Sequence, residues 1–313
     1  MKQYSLLAPA KINLYLEIVG DRSDGFHELV MILQSIDLAD RVEIKPAGRQ
    51  TIHLHCNHSH LSDPQTNLAY RAAAFMRDRY LDQFNHHGGV DITLEKNIPI
   101  AAGLAGGSAD AAAVLVGLNS LWELGLTQPE LQDLAAELGS DVPFCVAGGT
   151  AIATGRGEQL DFIRGYSGMW VVLGKHKSLE VSTPWAYTTY RHQFGKTYKE
   201  PEEFSDQVKR VESGELVEAI AKENSNAIAQ HLHNDLEEVV LPAYPEVAKL
   251  REAFKQSNAL GTMMSGSGPT VFGLCESQKQ AQTVKKQVAE QMADPDLQLW
   301  VTSFVSQGIA VGT

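Results

Sequence analysis

The run Pro99-Ile100-Ala101-Ala102-Gly103-Leu104-Ala105-Gly106-Gly107-Ser108-Ala109 joins an extended-looking segment to a strongly helix-forming one. Small residues let the backbone approach a ligand closely, and a helix start offers unpaired N–H groups at the positive end of its dipole. That is the specification of a phosphate cradle, although a tight turn between packed elements would use the same residues. No Lys-Ser or Lys-Thr follows the glycines, so this is not a Walker-type loop, and the glycine spacing does not match the dinucleotide fingerprint. A second glycine-rich loop, Ser265-Gly266-Ser267-Gly268-Pro269-Thr270, reads as a strand connection that could face the same ligand from another domain.

Lys11 and Asp141 form the candidate catalytic pair. Asp141 sits in Gly139-Ser140-Asp141-Val142-Pro143-Phe144, where on local grounds a helix N-cap is the favoured reading, and Lys11 alone would be a solvated strand lysine. His53, His55, Cys56, His58 and His60 are metal-ligating residue types, but their spacing fits no common zinc pattern and suggests an exposed His-rich hairpin. Cys145 has apolar flanks, which point to burial rather than to a nucleophile.

Positioning these groups takes a definite set of elements. Ile12, Leu14, Leu16 and Ile18 alternate with Lys11, Asn13, Tyr15 and Glu17, the pattern of a half-buried strand with Lys11 and Asn13 on the face opposite the aliphatic row. A polar turn over 20–28 leads into a second strand near 29–36, and 51–55 and 90–95 are further strand candidates. Helices are expected over 67–80, 111–124 and 129–138, the last ending at Gly139. The glycine-rich, polar stretch 154–168 reads as a domain boundary, dividing the chain into 1–160 and 161–313. Beyond it come a short strand over 169–173 and an exposed Lys- and Glu-rich stretch over 195–218. The remainder reads as helix 235–256, strand–loop–strand 261–275, helix 278–292 and strand 297–304. That order predicts an α+β fold with helices on one face of an antiparallel sheet.

Composition bounds the function. The chain has 313 residues, with 26 Lys and Arg against 38 Asp and Glu, a net charge of −12 that argues against nucleic-acid or anionic-membrane partners. No apolar run approaches the ~20 residues of a membrane span, and three cysteines, far apart and odd in number, argue against a disulfide framework. A cytoplasmic protein is expected, or a plastid stromal one if a transit peptide has been removed.

Ala8-Pro9-Ala10-Lys11-Ile12-Asn13-Leu14, Asp24-Gly25-Phe26-His27-Glu28, the 99–109 loop, Ser140-Asp141-Val142-Pro143-Phe144 and Ser265-Gly266-Ser267-Gly268-Pro269 occur in that order. Together they closely resemble the GHMP kinase superfamily over almost the whole chain. The resemblance implies a ribosomal-protein-like N-terminal ATP-binding domain, a ferredoxin-like C-terminal domain and an active site in the cleft between them. It implies an ATP- and Mg²⁺-dependent kinase acting on a cytidine diphosphate-linked methylerythritol at its 2-hydroxyl, in non-mevalonate isoprenoid biosynthesis. The alternative acceptors are of the homoserine or mevalonate type. By the family pattern Asp141 is the base and Lys11 its cationic partner, the 99–109 loop wraps the ATP phosphates, and Asn67, Leu68 and Lys96 lie near the adenine. Asn13, Phe26, His27 and Tyr187 match substrate-binding positions, with Trp185 an alternative to Tyr187 for stacking on the cytosine. The metal's ligands stay open, and a monomer or weak homodimer is expected. Ala105 stands where many members have Gly, which calls for a negative φ at that residue. Because Lys96 is the sole cation of residues 95–110 and is offset by Glu95 and Asp110, phosphate attraction is expected from backbone N–H groups, the helix dipole and the metal.

Overall fold

The computed structural model describes residues 3–48, 50–58, 61 and 63–311. Its strands are β1 (Tyr4–Asp21), β2 (His27–Pro46), β3 (Ile52–Cys56), β4 (Val90–Glu95), β5 (Thr150–Thr154), β6 (Gln159–Ile163), β7 (Trp170–His176), β8 (His233–Asn234), β9 (Gly261–Met264), β10 (Val271–Cys275), β11 (Leu297–Ser303) and β12 (Ala310–Val311). The first sheet runs β12-β1-β2-β4-β3, with β5 attached to β2, β6 to β5, and β8 beside β1. The second is an antiparallel sheet in the order β11-β7-β10-β9. The expected division at 160/161 falls inside β6, and the late strands β8 and β12 both return to β1.

β1 and β2 are far longer than the short strands expected, and they are interrupted. Their antiparallel register shifts between Pro9 and Ala10, between Asn13 and Tyr15, and between Ile18 and Gly20. A bulge inserts a residue and so exchanges the two faces of the strand beyond it. The predicted aliphatic row is therefore split: Ile12 and Leu14 join one core, while Leu16 and Ile18 join another. Lys11 and Asn13 do share a face, as expected, and Leu16 now continues it.

The second sheet also serves two cores. Val171 and Leu173 of β7 pack with the first sheet's core, whereas Val172 packs with Phe254, Val284 and Val288 of the covering helices. Those helices are Pro245–Lys255 and Gln278–Met292. The single helix expected over 235–256 is two, Glu237–Ala243 and Pro245–Lys255. Pro245 has no N–H to donate and pushes Tyr244 out of the helical region (φ −124°, ψ 82°), so the chain turns there.

The helix after the glycine run, Gly106–Leu121, begins earlier than the predicted 111–124. Ala109, Ala111, Ala112, Ala113 and Leu115 are buried along it, and a Cβ at Gly117 would stand 2.3 Å from Ile44 Cδ1. Small side chains thus allow the helix to lie close against β1 and β2, while its first turn stands against Ile98 and Lys96.

Candidate active site

One cavity of about 700 Å³ opens between the two sheets' units. Its wall takes Lys11, Asn13 and Leu16 from β1, residues 98–107 from the glycine run, Ser140 and Asp141, Phe26 and His27, Tyr187, and Gly266 and Ser267 of the second loop. The two glycine loops do meet. Ser265 Oγ donates to Gly103 O at 3.1 Å, and a Cβ at Gly103 would lie 2.3 Å from Ser265 O. Lys11 N donates to Leu104 O at 3.1 Å, tying the first loop to β1 as well.

The start of the first loop is fixed by a buried ion cluster. Lys96 Nζ bridges the carboxylates of Asp40 and Asp110, all three nearly without solvent exposure. Asp40 Oδ1 also accepts from Asn97 N at 2.6 Å and Ile98 N at 2.8 Å. Burial opposes the charge on Lys96, but Asp110 and Asp40 outweigh it and raise its pKa. Burial pushes Asp110 up against the pull of Lys96. Lys96 therefore lines the cavity while its charge is spent inside the protein. Three other cations line the wall from outside the run, Lys11, Arg156 and Arg191.

Ala105 lies at φ 57°, ψ 28°, immediately before the helix Gly106–Leu121, and Ala101 at φ 49°. The expectation of a negative φ at Ala105 is corrected: an L residue occupies the left-handed region there, at a cost of about 1–2 kcal/mol. The wall includes Pro99, Ile100, Ala101, Ala102, Gly103, Leu104, Ala105, Gly106 and Gly107, but not Ser108 or Ala109. Those two fall in the helix's first turn, where Ala109 turns into the core. Asn67 and Leu68 also line the cavity, and Asn67 caps the helix Leu68–Arg79 by accepting from Ala69 N at 2.8 Å.

Lys11 is 5% exposed, and its Nζ donates to Asn13 Oδ1 at 2.8 Å and stands 3.7 Å from Asp141 Oδ1. Asp141 precedes the short helix Val142–Ala147, yet its side chain makes no capping hydrogen bond. The capping reading therefore fails for the carboxylate, which is 34% exposed and faces Lys11. Cys145, one turn on, is buried, and burial raises its thiol pKa.

His27, also on the cavity wall, is 6% exposed, with its ring centroid 5.3 Å from Tyr187 and 5.7 Å from Tyr198. Burial and the nearby Arg191 push its pKa down to about 4, so it is neutral at pH 7, and its Nε2 has no hydrogen-bond partner among the described residues. Phe26 is exposed, with the Arg156 guanidinium 5.0 Å from its ring centre. Tyr187 lines the cavity, whereas Trp185 packs edge-on against Tyr244 away from it. His60 lies outside the described residues, and among those described no three His, Cys, Asp or Glu side chains gather into a metal site. His53 and His55 are exposed on one face of β3, and among the described residues no helix is long and apolar enough to cross a membrane.

Arg156, Arg191 and Met31 were not anticipated. Arg156 lies in a stretch read as a boundary, and Met31 reaches the wall because Gly157 leaves room, a Cβ there standing 2.7 Å from Met31 Cε. Nothing in the local spacing marks them, because they arrive from three separate places: Met31 from β2, Arg156 from the turn between β5 and β6, and Arg191 from the helix Thr183–Phe194.

The GHMP kinases N terminal domain model matches residues 67–149 and the GHMP kinases C terminal model matches residues 216–294. A 4-diphosphocytidyl-2-C-methyl-D-erythritol kinase from a Nostoc species is 58% identical over 313 residues, 99% of each chain. The same-named protein of a Synechocystis species is 56% identical, again over 99% of each. Among solved structures, a 4-(cytidine 5′-diphospho)-2C-methyl-D-erythritol kinase superposes with a TM-score of 0.73 at 32% identity, covering 96% of this chain and 98% of that one. A homoserine kinase from Cytophaga hutchinsonii shares the fold, with a TM-score of 0.75 at 20% identity, covering 99% of this chain and 98% of that one. With both superfamily domains present and relatives more than half identical from end to end, this protein is an ATP-dependent small-molecule kinase of the GHMP superfamily and belongs to the 4-diphosphocytidyl-2-C-methyl-D-erythritol kinase family.

Proposed function

We propose that this chain transfers the γ-phosphoryl group of ATP to the 2-hydroxyl of 4-diphosphocytidyl-2-C-methyl-D-erythritol, releasing ADP and the 2-phosphate. The observation that carries the reading is that the Lys11–Asp141 pair, 3.7 Å apart, lines the same cavity as both glycine loops, His27 and Tyr187. Phosphoryl transfer asks for alignment and for stabilisation of spread negative charge more than for covalent chemistry. Asp141 accepts the hydroxyl proton. Lys11, held by Asn13, keeps positive charge beside the carboxylate and the transferring group. Residues 99–107 surround the phosphates with backbone N–H groups and the start of a long helix, while Asn67, Leu68 and Lys96 border the adenine.

Neutral His27 offers one ring nitrogen as donor and the other as acceptor, which suits the mixed edge of a cytosine, with Phe26 and Tyr187 as flat partners. A Mg²⁺ ion fits as one carried on the phosphates, since Mg²⁺ takes one or two carboxylates plus phosphate oxygens rather than a protein cage. Of the two cavity carboxylates, Asp110 is held by Lys96 and Asp141 is partly exposed, so Asp141 is the group that would touch it. When bound, the ion neutralises charge on the phosphate oxygens. We also infer the division of the chain near 160, a cytoplasmic location and a monomer or weak homodimer.

The test is ATP turnover with the cytidine-linked acceptor, homoserine and mevalonate in parallel. Turnover confined to the cytidine-linked acceptor supports the reading. Robust turnover of homoserine or mevalonate without it overturns the assignment.

A further inference from the structure

Asn234 is 5% exposed and stands in β8, the short strand that lies parallel to β1 with Asn234 beside Leu16. Its Nδ2 donates to two carbonyls of the second glycine loop region, Met264 O and Gly266 O, each at 2.8 Å. Its Oδ1 accepts from Leu236 N at 3.0 Å, which fixes the orientation of the amide. β8 is itself held, because Asp235 N donates to Leu16 O at 3.0 Å and Asp235 Oδ2 accepts from Ile18 N at 2.7 Å. Asn234 is thus a rigid peg on β1, with both amide protons and one lone pair of its oxygen engaged.

The loop it holds sits against the reacting groups. A Cβ on Gly266 would stand 3.4 Å from both Asn13 Oδ1 and Gly103 O. Asn13 Oδ1 is the atom that accepts from Lys11 Nζ, and Lys11 faces Asp141. Ser265, between the two carbonyls that Asn234 binds, sends its hydroxyl to Gly103. A continuous set of contacts therefore runs from Asn234 through Gly266 to Asn13 and Lys11, and through Ser265 to the phosphate loop.

We propose that Asn234 is a positioning residue for the phosphoryl transfer: it sets the height of the 265–268 loop over Asn13 and Gly103, and through them the alignment of Lys11 with the phosphate loop. This rests on the function proposed above. The amide is chemically required. A carboxylate of the same shape keeps the bond to Leu236 N but sets an oxygen against two carbonyl oxygens, which repels the loop. Errors of about 1 Å in such alignment cost about a hundredfold in rate.

The experiment compares Asn234→Asp and Asn234→Ser with the wild type by melting temperature, kcat and the KM values for ATP and the cytidine-linked acceptor, from pH 9 to pH 6. The expected result is folded protein, kcat lower by about ten- to a hundredfold and a larger rise in KM for ATP than for the acceptor. Burial raises a carboxyl's pKa, and the protonated acid donates one hydrogen bond. The rate of Asn234→Asp relative to wild type should therefore recover as pH falls, while that of Asn234→Ser should not. Both variants within twofold of wild-type kcat would overturn the proposal, as would a loss with the same pH dependence in the two. Failure of both to fold would overturn it too, by making Asn234 a requirement of the fold rather than of the rate. Wild-type turnover of the acceptor in the same assay separates these outcomes from failure of the functional reading itself.

Discussion

Gly103→Ala gives the sharpest test of the contact between the two glycine loops. The added methyl would lie 2.3 Å from Ser265 O, 3.1 Å from Gly268 O and 3.2 Å from Gly268 N. All three are backbone atoms, so no flexible side chain can yield. Reaching an ordinary contact of 3.4 Å moves one loop off the other by about 1 Å. Gly103 also sits at φ +72°, so the alanine carries about 1–2 kcal/mol of backbone strain in addition. A displacement of that size is expected to lower kcat about a hundredfold, or about 2.7 kcal/mol of barrier. The control is Gly125→Ala, at φ +68° with no atom within 4 Å, which has the strain without the displacement. Steady-state kinetics and thermal melting on both variants separate the two effects. Both should melt lower, and only Gly103→Ala should lose rate. If Gly103→Ala keeps kcat within threefold of wild type while melting like Gly125→Ala, the spacing of the loops does not govern the reaction.

Asp141→Asn should lower kcat by about 10²–10⁴-fold and leave the melting temperature near wild type, because the side chain makes no capping bond; a near-native rate would remove Asp141 from the chemistry. Ala105→Gly removes about 1–2 kcal/mol of left-handed strain at φ 57° against about 0.5–1 kcal/mol of added chain entropy, and should raise unfolding free energy by about 0.5–1 kcal/mol, an expectation that an unchanged urea midpoint would sink. Lys96→Met leaves Asp40 and Asp110 buried without their cation and should cost about 3–5 kcal/mol, with Asp110→Asn in the same chain recovering part of it. His27 has its folded pKa lowered to about 4 by burial and Arg191, so its contribution to stability is full above about pH 6.5 and is lost as pH falls toward 4. That amounts to about 3 kcal/mol, and His27→Gln should flatten this part of the stability–pH curve; identical acid titrations for the two proteins would refute it.

Period and composition made many elements legible. β4 and the helix Gln278–Met292 match their predicted bounds, since β-branched alternation and unbroken helix formers leave little choice. The bulged strands were harder. Ile12, Leu14, Leu16 and Ile18 alternate without fault in sequence, yet an inserted residue between Asn13 and Tyr15 sends the second pair to another core. The left-handed Ala105 and Ala101 were hidden for a similar reason, because alanine prefers negative φ and only surrounding contacts hold it otherwise.

By itself the sequence determined the residue types of the chemistry: a lysine and an aspartate, two glycine loops, and an aromatic–histidine segment. It determined the mixed α+β class as well. Tertiary structure decided which of these residues meet. It put Lys11 Nζ 3.7 Å from Asp141, pressed the two loops together at Gly103 and Ser265, and spent the charge of Lys96 on Asp40 and Asp110. The physical reason is that hydrophobic period is a local property of a strand or helix, whereas distances between side chains far apart in sequence are set by strand register, bulges and close packing, which no local spacing encodes.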